Sequence, residues 1–296
     1  MNQRTKSNDI LNNLNPPQRE AVEHIQGPLL ILAGAGSGKT RVITHRIAYL
    51  IEKGVSPWNI LAVTFTNKAA GEMRERVDRL VGGKGKSVWI STFHSFAARL
   101  LREEIDKIGG NRHFVIYDEM DQLNLIKECM KWLDIDEKRF KITVAQALIN
   151  RAKDNLVDAD SFTIYAQASN DQFRKVIADI YQLYQKKLKE SSALDFGDLL
   201  MEAVRLFRER KEVLEKYQER FQYVMVDEYQ DTNHAQYLLT KFLVSKHKNI
   251  CVVGDDDQSI YSFRGADLRN ILHFEKDYKD VKVMKLEQNY RSTKNI

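Results

Sequence analysis

The sequence predicts an α/β fold: a parallel sheet flanked by helices and interrupted by an all-helical insertion. Three observations predict it. Short apolar runs alternate with helical patterns toward both ends of the chain, the order that builds a parallel sheet with its ligands at the strand carboxyl ends. A central stretch from about residue 110 to 190 carries helical spacing and no convincing strand. Finally, the small-residue loop Ala33 to Thr40 and the carboxylate pair Asp227-Glu228 each close an apolar run. They stand so far apart that a sizeable insertion must separate them.

The bulk numbers are those of a globular protein. The chain has 296 residues, 43% hydrophobic and 29% charged, enough for one large domain or two modest ones. Its apolar runs fall short of the roughly 20 residues of a membrane span. Met1 to Asn15 has no apolar leader segment. The only cysteines, Cys129 and Cys251, lie far apart. This argues against a disulfide framework or zinc site and for a cytoplasmic setting. Net charge is +5, concentrated in residues 1–111 at +6, with 112–190 balanced and 191–296 at −1. Such a bias permits a polyanionic partner without demanding one.

In chain order, Asn15-Pro16-Pro17-Gln18 reads as a helix start, with proline at the first helical positions. Gln18 is a capping residue or, having both donor and acceptor, a reader of an adenine edge. Leu29 to Leu32 is a strand; Val42, Ile43, Ile47, Leu50 and Ile51 mark the buried side of the helix that follows. Between them, Ala33-Gly34-Ala35-Gly36-Ser37-Gly38-Lys39-Thr40 forms a phosphate cradle, with backbone N–H groups and the positive helix end facing an anion. Lys39 reaches β- and γ-phosphates and the Thr40 hydroxyl holds Mg²⁺ in such a loop. Ala33 stands where the strict pattern has glycine.

Ile60 to Phe65 is the next strand, closing on Thr66-Asn67-Lys68; Val88 to Ile90 is a weaker one, followed by Thr92-Phe93-His94. Gly109-Gly110 and Ser191-Ser192 bracket the insertion, with helices over Asp118–Trp132, Thr143–Asp154 and Asp171–Glu190. Tyr223 to Val226 is a strand ending in Asp227 and Glu228. There Asp227 is the Mg²⁺ ligand and Glu228 the base that polarises an attacking water. Ile250 to Val253 leads into Gly254-Asp255-Asp256-Asp257-Gln258, whose acidic run suits a solvated turn and whose Gln258 can sense a γ-phosphate. Val281 to Leu286 is a weaker strand before Asn289-Tyr290-Arg291-Ser292-Thr293. Aromatics and hydroxyls at strand ends (Phe65, Thr66, Thr92, His94, Phe196, Tyr261, Phe263, with Arg264) are candidate nucleic-acid contacts, though any one aromatic is more often core than platform.

Taken in order, these segments resemble superfamily 1 DNA helicases of the UvrD/PcrA/Rep type across essentially the whole chain. Besides those named, the resemblance rests on Leu194-Asp195-Phe196, Asp227 through Asn233, Gly254 through Ala266 and Gln288 through Thr293. It implies a RecA-like P-loop ATPase domain over 1–110 and 191–285, a helical subdomain over 111–190, and the start of a second RecA-like domain at 286–296. It also implies ATP and Mg²⁺ as cofactors and 3′→5′ movement on single-stranded DNA and its junctions with duplex. Gln18 would contact adenine and Tyr290 stack on it, Arg41 would lie by the nucleotide, and Gln258 would sense the γ-phosphate. Arg291 would stabilise the transferring phosphoryl group, and the strand-end aromatics and hydroxyls with Arg264 would line the DNA track. Phe263 stands where relatives often have tryptophan. The family's second RecA-like domain lies beyond Ile296, so this chain is expected to be part of a longer protein and, alone, to unwind nothing. Alternatives are a helicase-nuclease subunit, a small-molecule P-loop kinase and a nucleotide-gated DNA-binding module.

Overall fold

The computed structural model describes residues 10–255 and 269–290. Gln258, Tyr261, Phe263, Arg264 and Arg291 lie outside the described residues. The chain divides into two compact units, one of Met1–Ser95, Glu212–Thr232 and Thr240–Ile296, the other of Phe96–Lys211 and Asn233–Leu239. The limits expected at 110 and 191 fall inside the second unit. There the turn Ile105–Ile108 packs on the helix Phe196–Glu209, and Arg210 Nε donates to the Lys107 carbonyl at 2.7 Å.

Eight strands form among the described residues: β1 (Leu29–Ala33), β2 (Ile60–Thr64), β3 (Trp89–Thr92), β4 (Val115–Tyr117), β5 (Ala193–Asp195), β6 (Tyr223–Val226), β7 (Ile250–Gly254) and β8 (Lys282–Leu286). In the first unit six of them make one sheet in the order β3-β2-β6-β7-β1-β8. Every neighbouring pair is parallel. All six carboxyl ends therefore share one edge, where parallel sheets place their ligands. The strands of the middle, β2, β6 and β7, are buried along their whole length, the mark of a sheet covered on both faces. Leu286 is the last residue of β8 and pairs with Ala33, so the first sheet reaches through that position.

Local chemistry explains the flanking helices. The helix Pro16–Glu23 opens on a capping box: Asn15 Oδ1 accepts the Gln18 N–H (2.9 Å) and Gln18 Oε1 accepts the Asn15 N–H (3.2 Å). Lys39–Glu52 buries Val42, Ile43, Ile47 and Leu50 completely against the sheet. Asn67–Val81 starts on the Thr66 hydroxyl and stops at left-handed Gly82.

The second unit has its own core, with Ile126, Ile149, Ile177, Ile180, Tyr181 and Tyr184 at its centre. It is built from the helices Glu119–Trp132, Ile142–Asp154, Ala159–Ala168 and Gln172–Glu190. Asp118 and Asp171 are the N-caps of the first and last of these. The expectation of no strand between about 110 and 190 needs amending: β4 pairs in parallel with β5. Three residues are too few to show an alternating pattern, and the partner lies beyond the helices. Among the described residues no helix is long and apolar enough to cross a membrane.

Candidate nucleotide site at the sheet edge

The loop after β1 is shaped by hydrogen bonds made at its own corners. Ser37, 2% exposed, donates its hydroxyl to the Gly34 carbonyl at 2.6 Å, and its N–H to the same oxygen at 3.3 Å. Gly38 has φ +93, and a Cβ there would stand 2.8 Å from Gln18 Nε2. Only glycine serves at such a place. Gly38 caps the following helix without a side chain, and that helix has no acidic residue in its first turn. Its leading N–H groups and dipole are thus presented to an anion. A cleft of about 540 Å³ opens beside the loop, lined by Ala33, Gly34, Ala35 and Ser37 on one side and Asp255, Lys285, Glu287 and Asn289 on the other.

Gln18 caps its helix and does one thing more that its sequence position did not announce. It closes the capping box and its Nε2 donates to the Ser37 carbonyl at 2.9 Å, so the cap also braces the loop. The segment after β8 comes to the same place. The Tyr290 N–H donates to the Gly36 carbonyl (2.9 Å), the Tyr290 hydroxyl accepts from Asn15 Nδ2 (2.8 Å), and that hydroxyl donates to Gln288 Oε1 (2.9 Å). The Tyr290 ring is half exposed. Arg41, half-buried, begins the second residue past Lys39 on the same helix.

The acidic pair of β6 meets this loop. Thr40 Oγ1 donates to Asp227 Oδ2 at 3.3 Å. The Lys39 ammonium lies 3.2 Å from Glu228 Oε2 and 4.0 Å from Asp255 Oδ2. Strand order explains the meeting: β6 and β1 both pair with β7, so their ends stand two strand spacings apart. Asp227 is almost fully enclosed. Burial, then the neighbouring Glu228 charge, pushes its carboxyl up to about 7. Burial and Glu228 likewise raise Asp231 to about 6. Glu228 holds a left-handed backbone, φ 51, uncommon for a residue with a Cβ. A hydroxyl and a buried carboxylate within hydrogen-bond reach form an all-oxygen donor set, which fits a hard cation such as Mg²⁺.

The candidate nucleic-acid residues fall in two places. Phe65, Thr66, Thr92 and His94 belong to the first unit, at the carboxyl ends of β2 and β3, whose Thr64 and Thr92 are register partners. Phe65 meets Phe93 edge-on at 6.0 Å. Thr66 accepts the Ala69 N–H (3.1 Å), and Thr92 accepts the Ser95 N–H (3.1 Å) while donating to Ser95 Oγ (2.9 Å). Both hydroxyls are therefore helix caps in this structure. Phe196 lies in the second unit at the head of its helix, 48% exposed.

Sequence reasoning gave no role to several residues that shape these places. Arg46 is 1% exposed and donates to the carbonyl of Ala21 in the last turn of the Gln18 helix and to those of His24 and Ile25 just past it. Lys153, wholly buried, pairs at 2.7 Å with both Asp195 and Asp198, the two members of the capping box that starts the Phe196 helix. Tyr184 donates to Asp195 at 2.7 Å. No spacing rule exposes an isolated basic residue whose partners lie tens of positions away.

Comparison with known proteins adds the following. Residues 14–279 match the family model described as UvrD/REP helicase N-terminal domain. The chain is 56% identical over 291 residues to a Bacillus subtilis (strain 168) protein named ATP-dependent DNA helicase PcrA, covering 98% of this chain and 39% of that relative. Proteins of the same name from Staphylococcus aureus (strain Mu50) and Staphylococcus epidermidis are 54% and 53% identical, with the same coverage. The chain thus spans 39% of the length of these curated relatives.

Proposed function

We propose, for a chain that belongs to the UvrD/REP helicase N-terminal domain family, that it is the nucleotide-binding motor part of an ATP-dependent DNA helicase. It would move 3′→5′ on single-stranded DNA and open junctions with duplex. The sheet-bearing unit serves as the RecA-like ATPase core, and the helical unit as its insertion. A second RecA-like domain in the full-length protein completes the cleft, and the setting is the cytoplasm. One observation carries the reading: the loop pair Lys39 and Thr40 and the strand-end pair Asp227 and Glu228 meet side chain to side chain.

The chemistry follows from those contacts. The triphosphate lies along the N–H groups of residues 34–40, with adenine between Gln18 and Tyr290 and Arg41 close by. Lys39 exchanges its two carboxylate neighbours for β- and γ-phosphate oxygens, a stronger match for a compact ammonium charge. Thr40 and Asp227 would hold Mg²⁺, which when bound would neutralise charge on the phosphate oxygens. Glu228 accepts the proton of the water that attacks the γ-phosphorus, giving ADP and inorganic phosphate. Gln258 and Arg291 act on the γ-phosphate. Phe65, Thr66, Thr92, His94, Phe196, Tyr261, Phe263 and Arg264 contact DNA by stacking and by hydrogen bonds to phosphate.

The test is ATP hydrolysis by the full-length protein carrying this chain, with and without single-stranded DNA, and unwinding of 3′- against 5′-tailed duplexes. DNA-stimulated hydrolysis with opening of the 3′-tailed substrate supports the reading. Hydrolysis indifferent to DNA, or transfer of phosphate to a metabolite, counts against it.

A further inference from the structure

Gln230 has no part in the chemistry above, yet it is 2% exposed and lies against it. Its amide is used at both ends. Nε2 donates to Glu228 Oε2 at 3.0 Å and to Asp231 Oδ2 at 3.3 Å. Oε1 accepts the backbone N–H of Asp255 at 3.0 Å. Gly254, the last residue of β7, leaves room for this: a Cβ there would stand 2.8 Å from Gln230 Oε1. One side chain therefore joins the carboxylates after β6 to the backbone that leaves β7, the next strand in the sheet.

We propose that Gln230 is the positioning residue that aims the Glu228 carboxylate at the attacking water. The inference rests on the reading of Glu228 as proton acceptor. Glu228 leaves β6 with φ 51, so its side chain departs in a direction that neither strand nor helix geometry fixes. Among the described residues two groups hold it, and both engage Oε2: the Lys39 ammonium at 3.2 Å and Gln230 Nε2 at 3.0 Å. A bound triphosphate draws Lys39 to its phosphates. Gln230 is then the holder that stays, and Oε1 is the oxygen left to receive a proton. The bond to Asp255 settles which way the amide faces. Turned over, Gln230 would set its carbonyl oxygen against the two carboxylates of Glu228 and Asp231 and its NH₂ against an N–H donor. Placement at this distance matters steeply, since a displacement of about 1 Å in a reacting group costs about 10²-fold in rate.

The experiment compares Gln230→Glu, Gln230→Met and Glu228→Gln in the full-length protein, by steady-state ATP hydrolysis at saturating single-stranded DNA and by thermal unfolding. Gln230→Glu keeps an acceptor for the Asp255 N–H and loses the donor to Glu228; Gln230→Met keeps the length and loses both. In both Gln230 variants kcat is expected to fall about 10- to 100-fold while KM for ATP stays within about two-fold. Gln230→Glu sets a third carboxyl beside Glu228 and Asp231, so it is expected to fold with a lowered melting temperature while KM for ATP is kept. Should Gln230→Met fail to fold, Gln230→Glu decides alone. An unchanged kcat in Gln230→Glu overturns the proposal, as does a joint collapse of kcat, KM and melting temperature, which marks a structural brace only. A full rate in Glu228→Gln overturns the reading of Glu228 and this inference with it. A lost rate there beside full rates in both Gln230 variants overturns this inference alone.

Discussion

The Thr40 hydroxyl donates to the Asp227 carboxylate at 3.3 Å, across 187 positions of chain. Two groups far apart in the sequence thus present oxygen atoms to one point at the sheet edge. Removing the hydroxyl with Thr40→Val is expected to weaken Mg²⁺-dependent ATP binding about 10- to 100-fold, the range seen when a metal site loses a supporting group. Thr40→Ser should restore it. Nucleotide titration with and without Mg²⁺ checks both, and equal affinities for Thr40→Val and wild type would remove Thr40 from the site.

Glu228 neutralises Lys39 in this structure, so the two roles separate on mutation. Glu228→Gln is expected to bind ATP at least as tightly as wild type, because Lys39 no longer leaves an ion partner to meet phosphate. Its turnover should fall by about 10²- to 10⁴-fold, the usual contribution of a general base. Lys39→Ala should lose both binding and turnover. Equilibrium binding beside DNA-stimulated hydrolysis distinguishes the two variants.

The pH dependence follows from Asp227, whose carboxyl is raised from 3.8 to about 7 first by burial and then by Glu228. A raised acid holds its proton more firmly folded than unfolded. Its stabilising contribution is therefore complete below about pH 4 and drains away as pH climbs to about 7. Asp227→Asn should flatten that slope in urea unfolding without nucleotide. Cation binding needs the carboxylate form, so Mg²⁺-dependent ATP affinity should rise over the same interval. An affinity flat between pH 5.5 and 7.5, on the order of two units around the transition, would contradict the assignment.

Arg46 holds three carbonyls at and beyond the end of the Gln18 helix. Arg46→Met leaves those acceptors buried without donors, at about 1–3 kcal/mol each before relaxation. A net loss of about 3 kcal/mol in chemical denaturation is expected, with weaker ATP binding, since the same helix carries Gln18 against Ser37.

In the second unit the one Lys153 ammonium pairs with both Asp195 and Asp198, all three side chains buried. Burial and the Asp195 charge already lift Asp198 to about 7. Lys153→Met should cost about 3–5 kcal/mol, the price of breaking a buried ion pair from one side. Gly197→Ala should cost about 1–3 kcal/mol by overpacking, because a Cβ there would lie 2.7 Å from Lys153 Cδ. If Phe196 stacks on DNA, Phe196→Ala should weaken single-strand affinity by about 1–3 kcal/mol with stability unchanged; fluorescence anisotropy with an oligothymidylate measures it.

The parallel sheet was legible because its strands are short apolar runs: Tyr223–Val226 stands where the pattern put it, and Ile60 to Phe65 and Ile250 to Val253 differ from the folded strands by one residue. The strand, loop and helix around Ala33 to Thr40 were legible too, because apolar run, glycines and helical spacing follow one another in consecutive positions. β4 was not, having three residues and a partner about 80 positions on. The helix Ala159–Ala168 was also missed, its apolar residues following no single stripe.

Most local order thus belongs to the sequence alone: which longer apolar runs become strands, and where a small-residue loop opens a helix. Tertiary structure decided partnership. Gln18 bracing Ser37, Gln230 holding Glu228 against Asp255, and Lys153 serving two aspartates all depend on strand order and helix packing. The physical reason is range. Backbone propensity and hydrophobic period act within a few residues, whereas a hydrogen bond requires only that two atoms be near in space, whatever length of chain divides them.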